Sequence, residues 1–289
     1  MKLSAALIVK NEAAIITRCL SSLKGFDEIV VIDTGSVDQT VEICKHAGAF
    51  VYDDFKWCDD FAAARNHAKG KCFGDWILFI DADNPLITPH DLVRLQVMEA
   101  DFAEARTANI KAVYPTGQWH WVSGLAKNEK NVQWIGAVHE CLTPAPMFNA
   151  EIQISVGQSP TKSSDPDRNI RILLKSDLSL PRNQFYLGKE YYERGRYAEA
   201  IAWMKAYIEG PAPWIKELAW AWLVIANCYW RDGRGRGDMA RDACLQSIRQ
   251  NPECAEAMRL MSEMHTSPWR EKWARLATLA NNEDVLFVR

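Results

Sequence analysis

Gly74-Asp75-Trp76-Ile77-Leu78-Phe79-Ile80-Asp81-Ala82-Asp83-Asn84 runs an apolar segment straight into two carboxylates one residue apart. A continuous run of Trp, Ile, Leu, Phe and Ile, bounded by Gly before it and Asn-Pro after it, reads as a strand buried on both faces, as in a parallel sheet. Open α/β sheets bind ligands outside the carboxyl ends of such strands. Two acids at that edge, separated only by small Ala82, suit a hard divalent cation carrying phosphate oxygens, because Mg²⁺ or Mn²⁺ is held by one or two carboxylates plus substrate phosphates. An isolated Asp-x-Asp is equally what a solvated turn looks like, so the neighbouring sequence has to decide.

Working outward, Ala5 to Val9 is a short apolar run ending at Lys10-Asn11-Glu12, and Ile15, Ile16, Cys19, Leu20 and Leu23 then recur at helical spacing before Gly25. Glu28-Ile29-Val30-Val31-Ile32 is a second buried strand, ending on Asp33-Thr34-Gly35-Ser36-Val37-Asp38. Ser36 or Asp38 either caps the following helix or contacts a ligand; Val41, Ile43, Cys44 and Ala47 form that helix's apolar side, and Gly48 stops it. Ala49 to Tyr52 is a third strand, and the Ala-rich segment Phe61 to Ala68 is helical. Strands alternating with helices predict βαβ units and a mostly parallel sheet. Right-handed crossovers then put the loops carrying Asn11-Glu12, Asp33-Ser36 and Asp81-Asp83 on one rim. No Gly-x-Gly-x-x-Gly follows the first strand and no Gly-Lys-Ser/Thr loop is present, so a diphosphate on this rim would be neutralised through the Asp81/Asp83 pair rather than cradled by a glycine loop.

The chain has 289 residues, 48% of them hydrophobic and 25% charged, with net charge −3. That length fits one medium domain and a smaller one. The charge balance gives no sign of nucleic acid or anionic membrane as a partner, although a local basic patch is compatible with it. The apolar start, Met1 to Val9, reads as a first strand rather than a signal peptide. No run approaches the ~20 apolar residues of a membrane span, which leads to the expectation of a soluble, cytoplasmic protein. Eight scattered cysteines without a Cys-x-x-Cys pair argue for reduced, mostly buried thiols rather than zinc or disulfides.

Four motifs in order, Val9-Lys10-Asn11-Glu12, Asp27 to Thr40, Asp60-Phe61-Ala62-Ala63-Ala64-Arg65-Asn66, and Gly74 to Asp83, resemble the family 2 glycosyltransferases of GT-A fold. The resemblance implies a nucleoside-diphosphate sugar donor. The acid at Asp33 would contact the nucleotide base; the pair at Asp81 and Asp83 would hold the ribose and a divalent cation, Mn²⁺ or Mg²⁺, on the diphosphate. Asn11, Glu12, Arg65 and Ala82 would line the same pocket. Read from its residue type alone, Arg65 could instead pair with a surface acid. Asn84 stands where relatives often carry a further acid.

After Pro85 and Pro89, a helix is expected over Asp91 to Ala105 with Leu92, Leu95, Val97, Met98 and Phe102 as its apolar positions. Ile110 to Tyr114, Trp119 to Val122, Val132 to Val138 and Glu151 to Val156 read as strands. Trp134-Ile135-Gly136-Ala137-Val138-His139-Glu140-Cys141-Leu142 resembles a His-Glu motif found in the subset of the family that includes lipopolysaccharide-core and peptide-modifying sugar transferases. By that resemblance Glu140 is the candidate base on the acceptor, and His139 a third metal ligand or a diphosphate contact; a structural hydrogen-bonded pair is the alternative. Tyr114, Trp119, His120, Trp121 and Trp134 suit either a sugar or acceptor platform or ordinary core packing.

The polar, Pro-containing stretch Gln158 to Asp167 marks a boundary, giving a catalytic domain over 1–160 and a helical one over 161–289. Arg168 to Leu180 reads as one helix. Leu187-Gly188, Tyr191, Gly195, Ala200 and Met204 are then echoed by Ile225-Ala226, Tyr229, Gly233, Ala240 and Cys244, as in tetratricopeptide-like helix pairs, and Glu253 to His265 starts a third repeat or cap. Trp203, Trp214, Trp220, Trp222 and Trp230 are expected in that core, and Val285 to Val288 ends the chain. Such a stack would bind a protein partner or a second copy. The expected activity is metal-dependent, inverting transfer of a sugar from a nucleoside diphosphate to a carbohydrate, a peptide side chain or a modified nucleobase. A nucleotidyltransferase on the same sheet, and an inactive adaptor working through its repeats, are the alternatives.

Overall fold

The computed structural model describes residues 1–146, 148–157, 165–211 and 215–280. The chain divides into two compact units, residues 1–166 and residues from Asp167 onward. The boundary expected at 160 falls in 158–164, outside the described residues, as do Trp214 and Val285 to Val288.

In the first unit the order is β1 (Leu3–Val9), α1 (Ile16–Ser22), β2 (Glu28–Asp33), α2 (Thr40–His46), β3 (Phe50–Tyr52), α3 (Phe61–Lys71), β4 (Trp76–Phe79) and α4 (His90–Phe102). Then come β5 (Thr107–Val113), β6 (Trp119–Lys127), β7 (Gln133–Ile135), β8 (Cys141–Thr143) and β9 (Phe148–Ser155). Seven strands form a sheet in the order β3-β2-β1-β4-β6-β5-β9, while β7 and β8 pair separately. Strands β1 to β4 run parallel to one another, and β6 runs antiparallel to both β4 and β5. The strand order reverses beside β1, between the β2 and β4 sides, the kind of switch point at whose carboxyl-end edge open α/β sheets bind ligands. As their uninterrupted apolar sequence requires, all four residues of β4 are buried.

Two apolar layers sandwich the sheet. On one side α1, α2 and α4 cover Leu3, Ala5, Leu7, Trp76 and Leu78. On the other, α3 and the β7–β8 hairpin cover Ala6, Val30, Ile32, Ile77 and Phe79. Helix α4 departs from the expectation: Val93, Val97 and Ala100 face inward, while Leu92, Leu95, Met98 and Phe102 are exposed. Spacing of four and three puts the inward trio on a single helical stripe, and the longer side chains lie round the cylinder from it. The strand expected over Val132 to Val138 stops at Ile135, because Gly136 and His139 take left-handed backbone angles, φ +92° and +52°, that turn the chain before β8.

The second unit is helical: α5 (Arg168–Lys175), α6 (Pro181–Glu193), α7 (Tyr197–Glu209), α8 (Ile215–Arg231), α9 (Gly237–Gln250), α10 (Ala255–Met264) and α11 (Trp269–Leu279). The single helix expected over Arg168 to Leu180 ends at Lys175, and a new one starts at Pro181, whose fixed φ and missing N–H suit a first turn. Successive helices pack on one another, with α6 on α7, α8 on α9 and α10 on α11. Gly188 lets α6 approach Met204 so closely that a Cβ would lie 3.0 Å from its side chain. The interior is built from Leu187, Tyr207, Leu223, Ala226 and Cys244. Trp203, Trp220 and Trp222 are only half-buried and Trp230 is exposed, since indoles are too bulky for the closest helix crossings. Among the described residues no helix is long and apolar enough to cross a membrane.

Candidate functional site

The loops after β1, β2 and β4 are stitched into one rim. Thr34 donates to the Val9 carbonyl through both its amide, at 2.9 Å, and its hydroxyl, at 3.0 Å. Asn11, at φ +56°, donates its amide to Ser36 Oγ at 2.9 Å and accepts the Val37 amide on Oδ1 at 2.7 Å. The Glu12 amide donates to Thr40 Oγ1 at 2.7 Å, and the residue is buried. Neither Ser36 nor Asp38 is the N-cap of α2: Ser36 is taken by Asn11, and Asp38, two residues before the helix, accepts the amides of Thr40 at 3.0 Å and Ala13 at 3.1 Å. Asp33 ends β2 buried, its carboxylate accepting the amides of Gly35 and Ser36 at 3.1–3.2 Å. Gly35, at φ +106°, permits that tight turn.

Helix α3 brings the cation. Asp60 caps it by accepting the Ala63 amide at 2.8 Å, which fixes the first turn and with it the direction of Arg65. Arg65 Nη2 donates to Asp81 Oδ1 at 2.9 Å and Nε to Glu140 Oε1 at 2.6 Å. The side chains of Arg65 and Glu140 are 11% and 12% exposed, that of Asp81 35%. The guanidinium lies over the Trp134 ring, 5.0 Å from its centroid. Burial lowers the Arg65 pKa, but the charges of Asp81 and Glu140 and their hydrogen bonds outweigh it, and the pKa ends above the ordinary arginine value. A buried cation between two carboxylates stays charged. Arg65 is therefore no surface pair; one guanidinium bridges the end of β4 to the residue that opens β8.

Asp83 is buried at the same turn, and Ala82 packs into the core, leaving its backbone as what it can present to a ligand. Beneath them Cys19 Sγ lies 3.4 Å from the Asp81 carbonyl, and burial first, then the charges of Asp81 and Asp83, push its thiol up to about 12. Among the described residues no three His, Cys, Asp or Glu side chains are grouped to hold a metal ion. Asp81, Asp83 and His139 belong to no such group, and Asp81 Oδ1 accepts from Arg65. The carboxylate oxygens of Asp81 and Asp83 fit a hard cation, which they would hold together with oxygens of a bound ligand and water. On this rim Asp33, Asp81, Asp83 and Glu140 stand against Arg65, and a diphosphate set among those carboxylates calls for added positive charge.

Residues 4–142 match the family described as Glycosyl transferase family 2. They are a family 2 glycosyltransferase domain. Its α/β, GT-A fold is the one expected. The chain is 29% identical over 228 residues to the SPbeta prophage-derived glycosyltransferase SunS of Bacillus subtilis, covering 71% of this chain and 53% of SunS. A TPR repeat-containing protein of Synechococcus elongatus is 49% identical over 88 residues, 30% of this chain and 21% of that protein. The chain thus spans about half the length of the one relative and a fifth of the other. Of solved structures, Staphylococcus aureus TarS 1-349 in complex with UDP-GlcNAc superposes with a TM-score of 0.50 at 14% identity, over 87% of this chain and 92% of that one. At that identity the likeness is one of fold.

Within this glycosyltransferase domain, several positioning residues carried no expected role. Asn66 clamps β7 like a strand partner, donating Nδ2 to the Trp134 carbonyl and accepting the Trp134 amide on Oδ1, both at 2.8 Å. The Phe61 amide adds a bond to the Ala137 carbonyl at 2.9 Å, so α3 sets the approach to Glu140. The signal was present, since Asn66 adjoins Arg65 in the quoted motif. Asn84, where relatives often carry an acid, accepts the Gly157 amide on Oδ1 at 3.2 Å, and a Cβ on Gly157 would fall against the Asp83 carbonyl oxygen. Trp134 is no acceptor platform: it is buried edge-on to Phe79, with ring centroids 5.1 Å apart, under Arg65.

Proposed function

We propose that this chain transfers a sugar from a nucleoside-diphosphate sugar to a hydroxyl or thiol acceptor, with inversion at the anomeric carbon, and that Glu140 is the base. The observation that carries this reading is the Arg65 bridge, which holds Glu140 within one guanidinium's span of Asp81, so the group that takes the acceptor's proton lies beside the corner that receives the diphosphate. Asp33 would contact the nucleotide base, and Asn11, Glu12 and the Ala82 backbone would border the donor. A divalent cation, Mn²⁺ or Mg²⁺, held by Asp83 and Asp81 would supply positive charge to the leaving diphosphate. His139 is given the diphosphate contact rather than a metal bond.

In the transfer, the acceptor oxygen or sulfur forms its bond to the anomeric carbon from the side opposite the diphosphate. The anomeric C–O bond breaks, its electron pair leaves with the nucleoside diphosphate, and the acceptor's proton passes to Glu140. Arg65 donates to Glu140 Oε1 and so fixes the carboxylate's orientation, leaving Oε2 for the proton. The family membership of residues 4–142 supports the reaction class; UDP is the nucleotide to test first, because the structural neighbour TarS is described with UDP-GlcNAc. We further assign residues 161–289 a tetratricopeptide-like role in binding a protein partner or a second copy, and the whole chain to the cytoplasm.

The test is nucleoside diphosphate release from UDP-, GDP- and dTDP-sugars with Mn²⁺. Asp83→Ala should abolish metal-dependent donor binding, whereas Glu140→Gln should bind donor normally and transfer nothing. No turnover and no nucleotide binding with any donor would refute the enzyme reading; joint loss of binding and transfer in Glu140→Gln would make that residue structural.

A further inference from the structure

The sheet face that carries α3 and the β7–β8 hairpin continues onto β6, β5 and β9, where Trp119 and Glu151 are exposed. Cross-strand pairing puts Trp121 opposite Lys111 and Trp119 opposite Val113, while their neighbours Ile110 and Ala112 point into the core under α4. The two indoles meet edge to face, centroids 5.4 Å apart at 79°. Lys111 Nζ sits 4.9 Å from the Trp119 centroid and 5.2 Å from that of Trp121, and it also pairs with Glu151 of β9. The lysine is 17% exposed, Glu151 59% and Trp119 44%. The ammonium is thus a covered floor that holds both rings, and the indoles and the carboxylate are what solvent meets.

This corner lies at the rim of the sheet where β4 ends. Strand β6 begins at the rim where β4 ends, because the two run antiparallel. Strand β8, which follows Glu140 directly, packs on this same face of the sheet, its Leu142 sharing an apolar cluster with Ala126 in the half of β6 away from the indoles. The indoles therefore stand on the same face and the same rim as Arg65 and Glu140.

We propose that Trp119, Trp121, Lys111 and Glu151 form the acceptor subsite and that the acceptor is a carbohydrate, presented as a neutral pyranose. The inference rests on the glycosyl-transfer reading above. The negative face of an indole attracts the polarised C–H groups on the apolar side of a sugar ring. Rings set near a right angle give a pyranose two such walls but offer no parallel slot for a flat nucleobase. Glu151 supplies acceptor oxygens for hydroxyl groups. Lys111 and Glu151 cancel each other's charge, so a neutral ligand is favoured over a phosphorylated one, for which an unpaired cation would be needed.

The experiment is a neutral-glycan array probed with the full chain in the presence of UDP and Mn²⁺, alongside calorimetric titration with UDP. The expected result is binding to at least one glycan, weakened about tenfold or more by Trp119→Ala or Trp121→Ala, with UDP affinity within about twofold of the parent. Trp121→Phe, which keeps a ring in place, should retain most of the glycan binding and so separate recognition from folding. UDP binding without any glycan binding, glycan binding indifferent to Trp119 and Trp121, or sugar transfer to a cysteine or serine peptide unaffected by Trp119→Ala would each overturn the acceptor subsite alone. Failure of the parent to bind UDP overturns the donor reading on which it rests.

Discussion

Replacing Arg65 by Met removes the charge that holds Asp81 and Glu140 together while keeping much of the stem that packs on Trp134. Breaking one partner out of a buried pair costs ~3–5 kcal/mol, since the remaining charge is left without compensation. The Glu140 carboxylate, 12% exposed, is in that position; Asp81, 35% exposed, can rehydrate and adds little. The lower end, about 3 kcal/mol, is therefore expected. For a unit of 166 residues that is a fall in Tm of about 6–12 °C at ~2–4 °C per kcal/mol. Glu140→Gln keeps an acceptor oxygen for Nε and loses only the charge assistance, about 1 kcal/mol. Removing both should cost less than the two changes added together, by about 1–2 kcal/mol, because the double variant leaves no uncompensated Glu140 charge. Scanning calorimetry of the parent, both single variants and the double variant measures this coupling. A Tm loss below about 2 °C for Arg65→Met, or strict additivity, would refute the bridge as the element that holds the site.

Three further outcomes follow from particular contacts. Glu217, buried and accepting a hydrogen bond from Tyr207 at 2.9 Å, has its pKa raised by burial above 4.5, with the Tyr207 bond opposing the shift. Its stabilising contribution is full below about pH 4.5 and is lost as pH rises through the folded-state pKa, so Glu217→Gln should melt higher than the parent near pH 7, with the gap closing near pH 4; a gap independent of pH would count against this. Under native conditions a disulfide reagent should find Cys58 first, because it is exposed, while burial holds Cys19, Cys44, Cys72, Cys228 and Cys244 at about 12. Loss of that fast phase in Cys58→Ser confirms the order, and its persistence contradicts it. Gly157→Ala sets a Cβ against the Asp83 backbone and should cost ~1–3 kcal/mol and lower Mn²⁺-dependent UDP affinity, both measurable in one titration and melt series; an unchanged variant would place Gly157 elsewhere.

The amino-acid order by itself was enough for the parallel half of the fold. Strands β1, β2 and β4 are buried on both faces, so each carries an apolar run, residues 5–9, 29–32 and 76–79, and each is followed by polar residues that line the rim. The placement of Asp33, Asp81 and Asp83 on the rim was legible for the same reason, since each lies at the end of a buried strand. What tertiary structure decided was which distant groups meet. Arg65 and Glu140 are 75 residues apart, and they meet at 2.6 Å where Asn66 and the Phe61 amide tie α3 to the segment before β8. Whether an aromatic faces core or solvent was likewise beyond reach of the local pattern. Trp134 is buried and Trp119 exposed, although both lie on strands: Trp134 belongs to the apolar cluster that α3 covers, and Trp119 does not. A side chain's neighbours along the chain report its backbone state; its ionic and aromatic partners are set by crossovers that local sequence does not encode.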